Sequence, residues 1–236
     1  MPLIQLNKFN DIIFEPVAHT YNLDGVRFTS ATTFLHKFTS FDANKISLRM
    51  AKGCPVAAAE LRVEWASKGA IACQRGTHVH EYLENKVNGV EAPKFDDAAD
   101  LYYAADRFLA DTKDKIDFVA QEFRLYDVEW GVCGTVDLLV WNKRYSQYEI
   151  WDYKTNKEIA NINKYGGKLK VPLHKLDDCN YNIYSLQLSL YRLMIERNTN
   201  IKIGKCRLVH IAEDGYKVLN CLDLRDELIK ILGSKK

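Results

Sequence analysis

The chain has 236 residues, enough to bury one sizeable core, and with 47% hydrophobic and 27% charged residues it has the composition of a globular protein. A formal net charge of +2 excludes a polyanion-binding role founded on bulk charge, so any nucleic-acid surface must be built locally. The six cysteines (54, 73, 133, 179, 206 and 221) form no Cys-x-x-Cys pair, which excludes a zinc module and points to thiols in a reducing compartment. No apolar stretch is long enough for a bilayer, and the N-terminus lacks the basic start and apolar run of a signal peptide. The expectation is a cytoplasmic protein without a membrane partner, in a cell that is free-living or infected by a virus or phage.

In chain order, residues 19–28 read as a hairpin turning at Asp24-Gly25. Ser30 is placed to cap a short helix through Leu35 and His36. Residues 42–52, 55–68 and 70–88 have helical patterning, with breaks at Gly53-Cys54-Pro55 and near Gly69. Residues 96–115 form another amphipathic helix, with Leu101, Ala105, Phe108 and Leu109 on one face. The period then changes to two, predicting strands over 118–126, 132–141 and 148–154. Residues 160–178, with Gly166-Gly167 and Pro172, read as a long loop. A helix follows over 181–197, carrying Ile183, Leu186, Leu190 and Leu193. A hairpin around Asp214-Gly215 joins strands 205–212 and 216–222, and Asp223 is placed to cap a last helix to Leu232. This order predicts an α/β fold, a central mixed β-sheet flanked by helices with a helical N-terminal part.

Strands 132–141 and 148–154 are joined by a short connection, which makes them antiparallel neighbours. A turn centred in 142–147 pairs residues whose numbers sum to 289. Trp141 then meets Tyr148, Leu139 meets Ile150, and Asp137 meets Asp152. Two carboxylates roughly 5 Å apart destabilise a sheet unless a cation lies between them. Hard oxygen donors suit Mg2+ or Mn2+. Lys154 follows Asp152 by two residues and shares its face. A divalent metal with a neighbouring ammonium is sufficient chemistry for phosphodiester hydrolysis.

Four segments resemble motifs of the PD-(D/E)xK nuclease superfamily. They are Gly134-Thr135-Val136-Asp137, Asp152-Tyr153-Lys154-Thr155, Gln187-Leu188-Ser189-Leu190-Tyr191, and the helix Arg75-Gly76-Thr77-His78-Val79-His80-Glu81-Tyr82-Leu83-Glu84. The closest branch is the RecB-type exonucleases, including phage-encoded members and the mitochondrial genome maintenance exonuclease. His19-Thr20-Tyr21 and Ser30-Ala31-Thr32-Thr33 also resemble the N-terminal region of phage relatives. The likeness runs from about residue 17 to about residue 195.

The resemblance implies a restriction-endonuclease-like core and a single nuclease domain over 1–236. Its first part, 1–116, carries the His80 helix, and its sheet core, 117–236, carries the acids. It implies that His80, Asp137, Asp152 and the backbone carbonyl of Tyr153 hold the metal, and that Lys154 is catalytic with the two acids. Gln187 and Tyr191 would position DNA or active-site groups, with Arg75 and Thr155 beside them. Only the resemblance selects His80 over His78. Glu84, one turn beyond His80, and Glu122, in the preceding strand, are candidates for supporting the metal site from outside. Lys157, Lys164, Lys168 and Lys170 give the loop after the catalytic strand a basic character, and Gly166-Gly167 would let it close over a strand. Several RecB-type relatives hold an iron–sulfur cluster on four cysteines. Here the C-terminal region has only Cys206 and Cys221, so no iron–sulfur cluster is expected. No Walker-type loop occurs, so no helicase is expected in this chain. The expected activity is a metal-dependent DNA exonuclease acting on single strands or duplex ends in recombination, repair or replication. The alternatives are a structure-selective or nicking endonuclease, and a non-catalytic nucleic-acid-binding module. No feature sets an oligomeric state.

Overall fold

A computed structural model describes residues 2–15, 18 and 20–233. His19, part of the expected hairpin and of the N-terminal resemblance, lies outside the described residues. The chain opens with α1 (Pro2–Leu6), β1 (Ile13–Glu15), β2 (Thr20–Leu23), β3 (Val26–Ser30) and α2 (Ala31–His36). Asp24 and Gly25 have φ of 49° and 78°, the left-handed pair that an Asp-Gly hairpin turn requires. Ser30 caps α2, its Oγ accepting the Thr33 amide at 3.2 Å. Then come α3 (Ala43–Met50), α4 (Pro55–Val87), α5 (Tyr102–Thr112), β4 (Ile116–Asp127), β5 (Val132–Asn142), β6 (Gln147–Lys154), α6 (Asn180–Asn198), β7 (Ile203–Ala212), β8 (Gly215–Asn220) and α7 (Arg225–Leu232).

Four expectations need correction. The helix α4 runs unbroken through Gly69, because a glycine inside a helix costs only about 1 kcal/mol and 33 residues of helix absorb it. The break at Gly53-Cys54-Pro55 stands, with Gly53 at φ 86° and Pro55 opening α4. The expected helix over 96–115 splits into a short 3-10 turn, Asp96–Ala98, and α5. Tyr102 folds this segment back by accepting the Phe95 amide at 2.8 Å, and Phe95 stacks on His78. Asp223 does not cap the last helix. Its carboxylate takes the Arg225 guanidinium at 2.7 and 2.8 Å instead, and α7 starts after Leu224 without a side-chain cap. The segment 160–178 is irregular as expected but pinned, since Leu169 and Leu173 are buried and Lys168 bridges to Asp177.

The eight strands form one mixed sheet in the order β1-β2-β3-β5-β6-β7-β8, with β4 also on β5. The β3/β5 and β6/β7 pairs are parallel and the others antiparallel. The N-terminal hairpin is therefore part of the sheet, through Thr29↔Val132 and Ser30↔Cys133. Both faces are covered. On one, Phe34, Leu186, Leu190, Met194 and Leu228 from α2, α6 and α7 pack on Val136, Leu139, Ile150 and Leu208. On the other, Val79, Tyr82, Ala105 and Phe108 from α4 and α5 pack on Leu138, Val140, Trp151, Tyr153 and Val209.

The centre of the sheet positions the site. β4 lines one edge of β5 along nearly its whole length, so β3 and β6 share the other edge. β3 takes Val132 and Cys133, and β6 joins only from Leu138. Between these contacts the edge of β5 is open. The register from Asn142↔Gln147 to Leu138↔Trp151 is the one in which residue numbers sum to 289, and it stops one step short of Asp137 and Asp152. The faces also slip here. Val136 points to the α6 side, whereas Leu138, two residues on, points to the α4–α5 side. On β4 the slip falls at Glu122, which has φ 43° and, like Asp137, takes no part in the regular register.

Candidate metal centre

Sheet, helix and strand break converge on one group of polar atoms. Asp137 sits where β5 loses its neighbour, and its Oδ2 accepts the Tyr153 amide at 2.8 Å, replacing a ladder bond. His80 comes from α4, whose C-terminal half is anchored by Val79, Tyr82 and Leu83. Its Nε2 donates to the Tyr153 carbonyl at 3.1 Å. Its Nδ1 faces Asp137 Oδ2 at 3.4 Å and Glu122 Oε1 at 3.8 Å. The left-handed backbone of Glu122 is a costly conformation for a residue with a Cβ, and it accompanies a carboxylate aimed at this group. The donor atoms of His80, Glu122 and Asp137 all lie within 4.8 Å of one another. Asp152 is 2% exposed and ion-paired with Lys154, whose ammonium also lies 4.7 Å from the centre of the Tyr184 ring.

The electrostatics show a site short of positive charge. Burial opposes a charged His80, but Asp137 and Glu122 outweigh it and push its pKa up to about 9. Geometry agrees, because both ring nitrogens face acceptors and only an imidazolium has two protons to give. Burial, reinforced by the Asp137 charge, raises Asp152 to about 6 despite Lys154. Asp137 is raised as well, by burial and by Glu122. Burial would discharge Lys154, but Asp152 and Asp137 hold it firmly protonated. With His80 as an imidazolium, three carboxylates against two cations leave one negative charge in a largely buried space, and a divalent cation that displaces the imidazolium proton brings the group to neutrality. The donors are carboxylate oxygens, a carbonyl and an imidazole, types that divalent cations accept. The residues present fit such an ion.

Several expected residues fall together and others do not. His80, Asp137, Asp152, Tyr153 and Lys154 meet here. His78 points away, bonded to Asp97 at 2.7 Å and stacked on Phe95, so geometry separates the two histidines. Glu122 stands inside the cluster rather than behind it. Glu84 does not orient His80, because both nitrogens of that ring are taken by other groups. Tyr191 is 3% exposed, and Gln187 donates to its hydroxyl at 3.0 Å, so it supports β5 from inside the core. Arg75 is ion-paired with Asp100 and lies 3.6 Å from Glu213, at the edge of a cleft of about 710 Å3 that Thr155 and Lys157 also line. The basic loop is partly neutralised, with Lys164 on Glu158 at 3.2 Å and Lys168 on Asp177.

Two supporting contacts escaped the sequence reading. A Cβ on Gly134 would lie 2.5 Å from Tyr191 Cε1, so the tyrosine ring occupies the space a side chain would fill. A Cβ on Gly76 would lie 3.2 Å from Thr155 Oγ1, where α4 meets the end of β6. A glycine inside a strand pattern signals such close approach, and Gly134 carried that signal. No family model matches the chain, and no curated protein matches it. Among the described residues, no helix is long and apolar enough to cross a membrane.

Proposed function

We propose that this chain is a divalent-metal-dependent nuclease with a restriction-endonuclease-like core, hydrolysing DNA phosphodiester bonds from strand ends. One observation carries the reading: His80, Glu122, Asp137 and the Tyr153 carbonyl meet where β5 and β6 part, beside the Asp152–Lys154 pair, and the three carboxylates outnumber the two cations. The resemblance of the four motifs to RecB-type exonucleases selects DNA, and attack from ends, among the phosphodiesters such a centre fits.

His80, Glu122, Asp137, Asp152 and the Tyr153 carbonyl would hold the metal. A divalent cation bound there supplies Lewis acidity, lowering the pKa of water and offsetting charge on a phosphate. The protein's own groups do the rest. Asp137 is fixed by the Tyr153 amide, and His80 by the Tyr153 carbonyl, so one residue of β6 orients two of the holding groups. Lys154 stays protonated beside Asp152 and acts as a fixed donor and positive charge toward a phosphate oxygen, rather than as a base. The cleft beside Thr155 and Lys157 gives a strand an approach to this end of β6.

The test uses end-labelled linear DNA and a covalently closed circle, single- and double-stranded, with Mg2+, Mn2+ or EDTA. The reading requires metal-dependent release of nucleotides from linear DNA and an intact circle. Cleavage that persists in EDTA removes the metal, and metal-dependent nicking of the circle removes the requirement for an end.

A further inference from the structure

The stripe Tyr184, Gln187, Tyr191 faces the site from α6, and only its second and third members are explained by the support of β5. Tyr184 does something different. Its ring covers the Lys154 ammonium at 4.7 Å, on a lysine whose side chain is 16% exposed. The ring is itself fixed, since the Tyr184 hydroxyl donates to Asn156 Oδ1 at 2.7 Å. Asn156 is fixed in turn, since the buried His210, beside Lys154 in the β6/β7 register, donates through Nε2 to the Asn156 carbonyl at 2.6 Å. On the other side of this segment Thr155 packs against Gly76 of α4. The two residues after the lysine are thus clamped from β7, α6 and α4.

A lysine side chain has four rotatable carbons and loses much of its freedom when held. Asp152 supplies the charge partner but sets the ammonium only from one side. The Tyr184 face, 4.7 Å from the ammonium, adds a second hold: it attracts the cation through its quadrupole and takes up space into which the side chain would otherwise swing. We propose that Tyr184 is the positioning residue of Lys154, its ring fixing the ammonium against Asp152 while Asn156 and His210 hold the ring in place. The proposal rests on the reading of Lys154 as the lysine of a nuclease site.

The experiment replaces Tyr184 by leucine or methionine, which keep bulk without a π face, and by phenylalanine, which keeps the face without the hydroxyl. With saturating DNA and Mn2+, kcat falls about tenfold in Tyr184→Leu and Tyr184→Met, while KM and the Mn2+ requirement stay within about twofold. Tyr184→Phe keeps kcat within about threefold of wild type, since only one hydrogen bond is lost. A second readout needs no activity: acetylation of Lys154, mapped by mass spectrometry against Lys157, rises in Tyr184→Leu and not in Tyr184→Phe. The proposal is overturned if both aliphatic variants keep wild-type kcat, if the loss lies in KM alone, or if Tyr184→Phe falls as far as Tyr184→Leu. A wild-type protein without metal-dependent cleavage defeats the nuclease reading separately. The acetylation pattern then decides alone, and equal Lys154 labelling in all forms overturns the positioning role.

Discussion

Strand β6 carries two buried carboxylates three residues apart, and they live in opposite conditions. Glu149 is 0% exposed and surrounded by donors: Arg207 at 2.7 and 3.3 Å, Gln147 at 2.7 Å and Trp151 Nε1 at 2.9 Å. Burial would raise its pKa, but these bonds overcome burial and lower it. Asp152, almost equally hidden, has one ammonium for a neighbour; burial and the charge of nearby Asp137 raise its pKa to about 6. Glu149 shows what this fold does when a buried acid is meant to stay as it is. The three acids around His80 lack such provision, and a buried charge left short of partners marks a place prepared for something else.

The largest effect expected from this contrast is on stability. Removing Glu149 strands the Arg207 guanidinium, whose side chain is 14% exposed, in a closed space. Glu149→Ala should cost about 3–5 kcal/mol, read from urea denaturation. It should leave divalent-metal stabilisation of the folded protein intact. The same carboxylate sets a pH dependence of definite sign. Its folded pKa lies below the unfolded value of 4.5, so its contribution is present above that value and is lost as pH falls through the folded one. Glu149→Gln should flatten this acid limb of the stability curve, and an unchanged limb would mean that the Arg207 pair contributes nothing to it.

At the other site the expected losses are of rate. Lys154→Ala should lower kcat on the order of 100-fold, about 2.7 kcal/mol, with the folded state and metal binding largely retained. Near-wild-type turnover would reduce Lys154 to charge balance. Gly134→Ala should cost about 1–3 kcal/mol by overpacking, since the new methyl meets the Tyr191 ring. Tyr191→Leu in the same chain should recover part of it, and an additive double variant would show that the ring is not the obstacle. The smallest effect should have the opposite sign. Asp152→Asn should abolish cleavage yet leave the metal-free protein as stable, or more stable by on the order of 1 kcal/mol, because it removes the repulsion between Asp152 and Asp137 while Asp137 still acts on Lys154. A clear loss of stability would place Asp152 in the same class as Glu149.

The sequence showed the hairpin register because apolar residues pair only one way across β5 and β6, with Trp141 on Tyr148 and Leu139 on Ile150. The nearness of Asp137 and Asp152 followed from that alternation. Glu122 was not legible as a direct neighbour of His80, because its placement depends on one left-handed residue where two strands change faces together. Glu84 misled through helical spacing, which says that two residues share a face and not that they touch. Gly69 misled because a single glycine is too weak to break a 33-residue helix, and the split before α5 depends on contacts of His78 with Phe95 and Asp97, remote from the local pattern. The basic segment read as a free loop because the composition of 160–178 does not show that Leu169 and Leu173 are buried.

Manganese titration by electron paramagnetic resonance, on the wild type and on Asp137→Asn, His80→Ala and Glu149→Gln, tests the central contrast most directly. The account predicts saturable Mn2+ binding to the wild type, loss of it in Asp137→Asn, weakening in His80→Ala, and no change in Glu149→Gln. Absence of saturable binding to the wild type, or equal binding by Asp137→Asn, would show that the uncompensated acids are not a metal site.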